Sequence, residues 1–99
     1  MASHISFTAP LWLWSGEKSR WHFVTVPAEQ SAEIRAEGFM TGGGFGSVKV
    51  EARIGKVRWR TSVFPMKRSG EYLLAVKADV RKRAEIDVGD EVRVELELV

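Results

Sequence analysis

Apolar and polar residues alternate with a period of two along much of this chain. The alternation is regular over 48–54 and 57–64, where apolar residues occupy one phase and mainly lysine, glutamate and arginine the other. Such a period places the apolar side chains on one face of a β-strand. Gly55 and Lys56 separate the two segments, and a two-residue link of this kind is typical of a β-hairpin. The pattern returns over 91–98, which predicts a further strand.

Three more strands are predicted beside turn-forming segments. These segments are "SGEKS" at 15–19 and "PMKRSG" at 65–70. The three predicted strands are 4–14, 20–26 and 71–76.

Two short segments are predicted to be helices. The first, 27–37, begins with Pro27, which suits a first helical position, and the second is 77–86. Helices of this length are marginal in isolation, so both are expected to cap a sheet structure. The elements together predict a mainly β fold, a small closed barrel of six to seven strands with two short capping helices. One domain, 1–99, is expected because this length suffices for one core.

The two halves of the chain resemble each other in sequence and in the order of their elements. Residues 26–29 align with 76–79, and 46–47 align with 89–90. Each half then consists of a strand, a short helix, a glycine turn and an alternating strand. This order predicts a pseudo-twofold internal repeat.

Gly89 and Asp90 form the turn of the second half. Glycine permits a backbone conformation with positive φ, and the aspartate carboxylate can accept backbone N–H bonds across such a turn. We therefore expect Asp90 to have a structural role rather than a catalytic one.

Composition excludes several kinds of chemistry. The chain has no cysteine, so disulfides, thiolate nucleophiles and cysteine zinc sites are excluded. Its two histidines, His4 and His22, have no accompanying ligand pattern, so neither a metal site nor a cofactor is predicted. The apolar runs are too short to span a bilayer and no basic segment precedes the first of them, so a cytoplasmic location without membrane association is expected.

Four tryptophans are the most distinctive feature of the composition. Trp21 and Trp59 lie on the phase predicted to face inward, which favours a place in the core. Trp12 and Trp14 share the opposite phase to Leu11 and Leu13 on the first strand, so one of these faces is expected to be exposed or to meet a partner. Exposed indoles can stack on a planar ligand.

The glycine-rich segment "GGGFG" at 42–46 does not fit a phosphate-binding loop. A P-loop ends in Gly-Lys-Ser/Thr and opens a helix, whereas this segment precedes a strand. A flap over a barrel opening, carrying Phe45, and a simple connection are the two alternatives. The predicted ligand-binding residues are Trp12, Trp14, Trp21, Trp59 and Phe45.

Basic residues are distributed in two different ways. On the strands, arginine and lysine alternate with glutamate, and cross-strand ion pairs account for this composition. Around the second helix, by contrast, four cations are concentrated. They form the predicted anion-binding set, Lys77, Arg81, Lys82 and Arg83.

Nearly the whole sequence resembles the DUF1905 family of small bacterial and archaeal domains. The resemblance depends on six stretches taken in order: "FTAPLW", "WHFVTVP", "GFGSVKVEARIG", "WRTSVFP", "GEYLLAVKADVRK" and "GDEVRVELEL". It implies a compact β-barrel, although Ala75 stands where the family usually has proline. The strand–helix–Gly-Asp–strand unit also resembles the GD box of swapped-hairpin and double-psi barrels, which include AbrB-like transcription factors.

Three functional hypotheses follow from these patterns. The preferred one is a non-catalytic barrel, monomeric or dimeric, that binds a small apolar or planar ligand or a protein partner. The alternative is a nucleic-acid-binding regulator, by analogy with AbrB-like proteins, although the interleaved charges do not indicate it. The third is an enzyme with a pocket at the barrel mouth, for which no spacing joins the polar candidates His22, Lys77, Asp79 and Arg81.

Overall fold

Six antiparallel strands close into a barrel in the computed structural model, which describes residues 4–40 and 46–99. The strands are β1 (His4–Ser15), β2 (Arg20–Thr25), β3 (Val48–Ile54), β4 (Val57–Pro65), β5 (Tyr72–Ala75) and β6 (Glu91–Leu98). The helices are α1 (Ala28–Met40) and α2 (Ala78–Ala84). The predicted mainly β barrel is confirmed with six strands. Within the described ranges there is no seventh.

Closure of the barrel depends on the length of β1. Its residues His4–Pro10 pair with β6, whereas Leu11–Ser15 pair with β2, so one strand of 12 residues bridges two neighbours. The remaining pairings complete the circular order β1-β2-β5-β4-β3-β6. Every strand therefore has a neighbour on each side, and the described sheet presents no open edge for aggregation.

The interior of the barrel is filled by the apolar phase of each strand. Leu74 of β5 and Leu96 of β6 are fully buried there, together with Leu11 of β1. Each helix also contributes to this cluster, α1 through Ile34 and α2 through Val80. Burying apolar surface stabilises a fold by about 25 cal/mol per Å², so this interior is the main source of stability.

Charged residues cover the outer face of β3, β4 and β6. Glu51 lies 3.8 Å from Arg58 and 4.0 Å from Arg60, while Arg53 lies 3.6 Å from Glu95. The cross-strand ion pairs expected from the sequence are therefore present. Exposed pairs of this kind stabilise by at most about 1 kcal/mol each, so their main effect is to leave this face with compensated charge.

The Gly89-Asp90 turn connects α2 to β6 and binds back to β1. The carboxylate of Asp90 accepts a hydrogen bond from the Asp87 backbone N–H at 2.8 Å, as expected. Gly89, with φ of 95°, donates its N–H to the Leu11 carbonyl at 2.9 Å. The Leu11 N–H in turn donates to the Asp90 carbonyl at 3.0 Å. Asp90 thus has a structural role in this turn.

The strand order has a twofold character. Exchanging β1, β2 and β3 with β4, β5 and β6 leaves the circular order unchanged. Two hydrogen bonds follow the same exchange: the Val26 N–H donates to the Tyr72 carbonyl, and the Val76 N–H donates to the His22 carbonyl. This symmetry concerns connectivity, and the internal sequence repeat itself stays a prediction.

Candidate functional site: an aromatic groove and a cationic groove

Large apolar side chains cover the outer face of β1, β2, β5 and the end of β4. They meet because the register pairs Trp12 with Phe23, Trp14 with Trp21, and Phe64 with Leu73. They line an open groove of about 460 Å³, called the aromatic groove below. Its lining is Trp12, Trp14, Trp21, Phe23, Phe64, Met66 and Leu73.

Ring contacts hold the floor of the aromatic groove in place. The Phe23 ring centroid lies 5.3 Å from that of Trp12, 6.1 Å from that of Trp21 and 6.0 Å from that of Phe64. The Trp21 and Phe23 rings are stacked, with 6° between their planes. The Trp12 indole N–H also donates to the Thr25 hydroxyl at 2.8 Å. Because the Trp12 ring is held by this bond and by its contact with Phe23, this part of the groove is already ordered without a ligand.

The rim of the groove is exposed. Trp14 is 45% exposed and Trp21 is 49% exposed, although both are large apolar side chains. The Trp14 indole packs on the turn after β1, where a Cβ added at Gly16 would lie 2.5 Å from its Cη2 atom. Glycine at position 16 therefore allows the indole to rest on the backbone.

The prediction that Trp21 faces inward is wrong. Val24 occupies the inward phase of β2, which places Trp21 and Phe23 on the outside. Trp59 is half-buried against the core, as its predicted phase requires, and does not line the groove. Phe45, the fifth predicted ligand-binding residue, lies outside the described residues.

Sequence reasoning missed four members of the groove. They are Phe23, Phe64, Met66 and Leu73. Only the cross-strand register brings them together with Trp12, Trp14 and Trp21. The available signal was that β2, β4 and β5 place Phe23, Phe64 and Leu73 on the phase opposite to their buried valine or leucine.

A second groove lies at the end of β2 and β5, beside α2. Its volume is about 570 Å³, and it is called the cationic groove below. Its lining is Ser19, Arg20, Trp21, His22, Ala75, Val76, Lys77, Ala78 and Arg81. Trp21 thus belongs to both grooves.

The cationic groove contains half of the predicted anion-binding set. Lys77 and Arg81 line it, and Arg20, which the sequence did not single out, joins them. Lys82 and Arg83 do not line it, and the Arg83 guanidinium lies 3.9 Å from the Asp79 carboxylate. Of the polar candidates for catalysis, His22, Lys77 and Arg81 line this groove, whereas Asp79 does not.

His22 brings an imidazole to the lining of this groove. Burial lowers the pKa of His22 from its ordinary value of 6.5, and the positive charge of Arg81 lowers it further, whereas the Asp87 carboxylate acts in the opposite direction. The neutral imidazole is therefore favoured in the folded chain. Because the unfolded chain takes up this proton first, His22 should make the fold less stable as pH falls below 6.5 towards its lowered pKa.

The contribution of Arg81 can be measured by NMR titration of His22. We expect a pKa below 6.5 in the native chain and a value shifted part of the way back in the Arg81→Gln variant, because burial, the larger cause, is retained. Lys82→Gln is the matched control, since Lys82 does not line this groove. A native His22 pKa at or above 6.5 would contradict this electrostatic description.

The described part of the chain has neither a metal-binding cluster nor a membrane-spanning helix. No group of three or more histidine, aspartate or glutamate residues is arranged there to hold a metal ion. Its helices are not long and apolar enough for any of them to cross a membrane.

Comparison with known proteins adds the family. A search among curated proteins gives no match. The family model described as "Domain of unknown function (DUF1905)" matches residues 7–96, which contain all six strands in whole or in large part and the lining of both grooves. The chain therefore belongs to the DUF1905 family.

Proposed function

We propose that the chain is a non-catalytic binding module whose aromatic groove binds a small planar, apolar ligand. The observation that carries the proposal is the pair Trp14 and Trp21, which face each other across β1 and β2 and are about half exposed. Leaving two indoles in water costs free energy that burial by a ligand would recover. Exposed apolar patches of this kind commonly mark binding sites.

Size and order of the groove favour a small molecule. Its volume of about 460 Å³ lies within the range of about 300–1,000 Å³ typical of small-molecule sites. The Trp12 hydrogen bond to Thr25 and the stacked Trp21–Phe23 pair fix ring orientations before a ligand arrives. Prior ordering lowers the entropic cost of binding.

A fluorescence titration with N-phenyl-1-naphthylamine tests the proposal. This probe is neutral, planar in its ring system, and emits strongly only in apolar surroundings. We expect saturable binding that Trp21→Ala weakens at least about fivefold, because stacking on one aromatic side chain is worth about 1–3 kcal/mol. Trp14→Ala should weaken it in the same direction.

Leu13→Ala provides the matched control. Leu13 precedes Trp14 on β1 and is 38% exposed, but it does not line the aromatic groove. Its truncation should leave the probe affinity unchanged. The proposal would be refuted if the native chain did not bind the probe. It would also be refuted if the Trp14→Ala and Trp21→Ala variants bound the probe as tightly as the native chain does.

The same titration can be paired with a test for a protein partner. If the native chain forms a concentration-dependent dimer in sedimentation and Trp21→Ala dissociates it, the groove is a contact between two copies. That result would replace the small ligand by a second chain as the occupant of the aromatic groove.

A further inference from the structure

We infer that the ligand of the aromatic groove carries an anionic group, which the cationic groove binds. This inference rests on the proposed function, since it adds a second recognition element to the same site. The two grooves share Trp21, and Arg20 and His22 are its neighbours on β2. A ring system that contacts Trp21 therefore borders the cationic groove directly.

The cations of this groove have no close acidic partners in the described part of the chain. Arg20, Lys77 and Arg81 form no ion pair with a described carboxylate, in contrast to the arginines on the outer face of β3 and β4. Asp87 affects the pKa of His22 but does not line the groove. Three positive charges beside an apolar wall suit a ligand with one anionic end.

Arg81 is held in a fixed position with donors to spare. Its Nη1 atom donates to the Val76 carbonyl at 2.6 Å, and the side chain is half-buried. A guanidinium has five N–H donors in a planar fork, and this bond occupies one of them. The others can bind a carboxylate or a phosphate, for which the fork geometry is well suited.

The related position in the other half of the barrel has the same backbone arrangement but different side chains. There the Val26 carbonyl accepts a hydrogen bond from the Ser31 hydroxyl at 2.9 Å, as the Val76 carbonyl accepts one from Arg81. Ser31 also accepts the Tyr72 N–H at 2.9 Å and is only 1% exposed.

The longer helix α1 covers that first position further. The Arg35 guanidinium lies 6.0 Å from the Tyr72 ring centroid and donates to the Gly70 carbonyl. At the second position α2 is only 7 residues long, and an arginine replaces the serine. The cationic groove is therefore a product of the side chains and of the short helix, because the strand framework is common to both positions.

The ligand class is thus a small planar ring system joined to a carboxylate or a phosphate. Two probes with nearly the same rings test the anionic requirement. N-Phenyl-1-naphthylamine is neutral, whereas 8-anilinonaphthalene-1-sulfonate adds one anionic group to the same skeleton. We expect the sulfonate to bind about tenfold more tightly, which corresponds to one charge-assisted hydrogen bond.

Charge-removing variants locate the effect. Lys77→Gln and Arg20→Gln should each reduce the advantage of the sulfonate to about threefold or less and leave the affinity of the neutral probe unchanged. Lys82→Gln is the matched control, because Lys82 is an exposed lysine of the same helix that does not line the groove. It should retain the full advantage. Circular dichroism of each variant checks that the barrel is intact.

The outcomes separate the two proposals. If both probes bind with equal affinity and Trp21→Ala weakens both, the proposed function stands and the anionic requirement is wrong. If neither probe binds, the proposed function fails and this inference fails with it. An advantage of the sulfonate that persists in Lys77→Gln and Arg20→Gln would also overturn the inference.

Competition experiments identify the source of the anionic group. Displacement of the sulfonate probe by 2-naphthoate indicates an aromatic acid, and displacement by adenosine monophosphate but not by adenosine indicates a nucleotide. A third outcome is that a short oligothymidylate binds more tightly than these small molecules, with an affinity that decreases steeply as salt rises. That result would show that the occupant is a single-stranded nucleic acid and would overturn the small-ligand assignment.

Discussion

Replacing Leu74 by alanine should destabilise the fold by about 2–5 kcal/mol, as expected for truncating a buried leucine that leaves a cavity. Leu74 is fully buried and pairs with Val24 on one side and with Val63 on the other. It therefore lies where three neighbouring strands meet at the shortest strand of the barrel. In a domain of about this size the change corresponds to a fall in Tm of about 10 °C or more.

Urea denaturation of the native chain and the variant gives the free energy of unfolding directly. Leu13→Ala serves as the control, because it removes the same atoms from a side chain that is 38% exposed. A loss of about 0.5 kcal/mol or less for Leu74→Ala, within the range of ordinary surface substitutions, would mean that the interior around β5 is less tightly packed than described.

Replacing Gly89 by alanine should cost about 1–3 kcal/mol, because a side chain is held in a backbone region that L-residues rarely adopt. Gly89 has φ of 95°, and a Cβ added to it would meet nothing within 4 Å. The expected loss thus comes from the backbone alone. The turn cannot relax easily, since the Gly89 N–H is bonded to Leu11 and Asp90 is bonded to Asp87.

Thermal unfolding followed by circular dichroism measures this effect. Val88→Ala is the control from the same turn, where the side chain is 47% exposed and alanine brings no comparable change of backbone preference. Equal Tm values for Gly89→Ala and the native chain would show that the turn adopts another conformation at no cost.

Much of the fold could be predicted from local pattern. Period-two alternation located β3, β4 and β6, because these strands have one face in the core and one in water. The Gly55-Lys56 turn and the Asp90 hydrogen bond could also be predicted, because both depend on neighbours within a few residues. The predicted ends of the helices differ from the observed ends by up to three residues, because helix ends leave only weak signals in the sequence.

The aromatic groove shows where local pattern is insufficient. Trp12 and Trp14 were correctly assigned to one phase of β1, but Trp21 was assigned to the interior. A strand with valine on one phase and aromatic residues on the other has two apolar faces, so alternation does not determine which faces the core. The pairing of Trp14 with Trp21 decides it, and pairing is a property of the closed barrel.

The cationic groove was half predicted for a similar reason. Clustering along the chain pointed to four cations of one helix, yet a helix of 7 residues directs them to different sides. Lys77 and Arg81 are four positions apart and reach the same groove, whereas Arg83 turns to Asp79. Arg20 joins them from the start of β2, about 60 residues away along the chain, so no local pattern could include it.

By itself the sequence determined the strands and the turns, because hydrophobic periodicity and turn chemistry act between near neighbours. The family was recognised from the resemblance of six ordered stretches, and that resemblance together with the order of the elements predicted a barrel. The tertiary structure alone decided which apolar faces remain outside and which cations share a groove. Those arrangements depend on the register between strands that are distant in the chain, and a shift of one residue in that register would turn Trp21 inward and His22 outward.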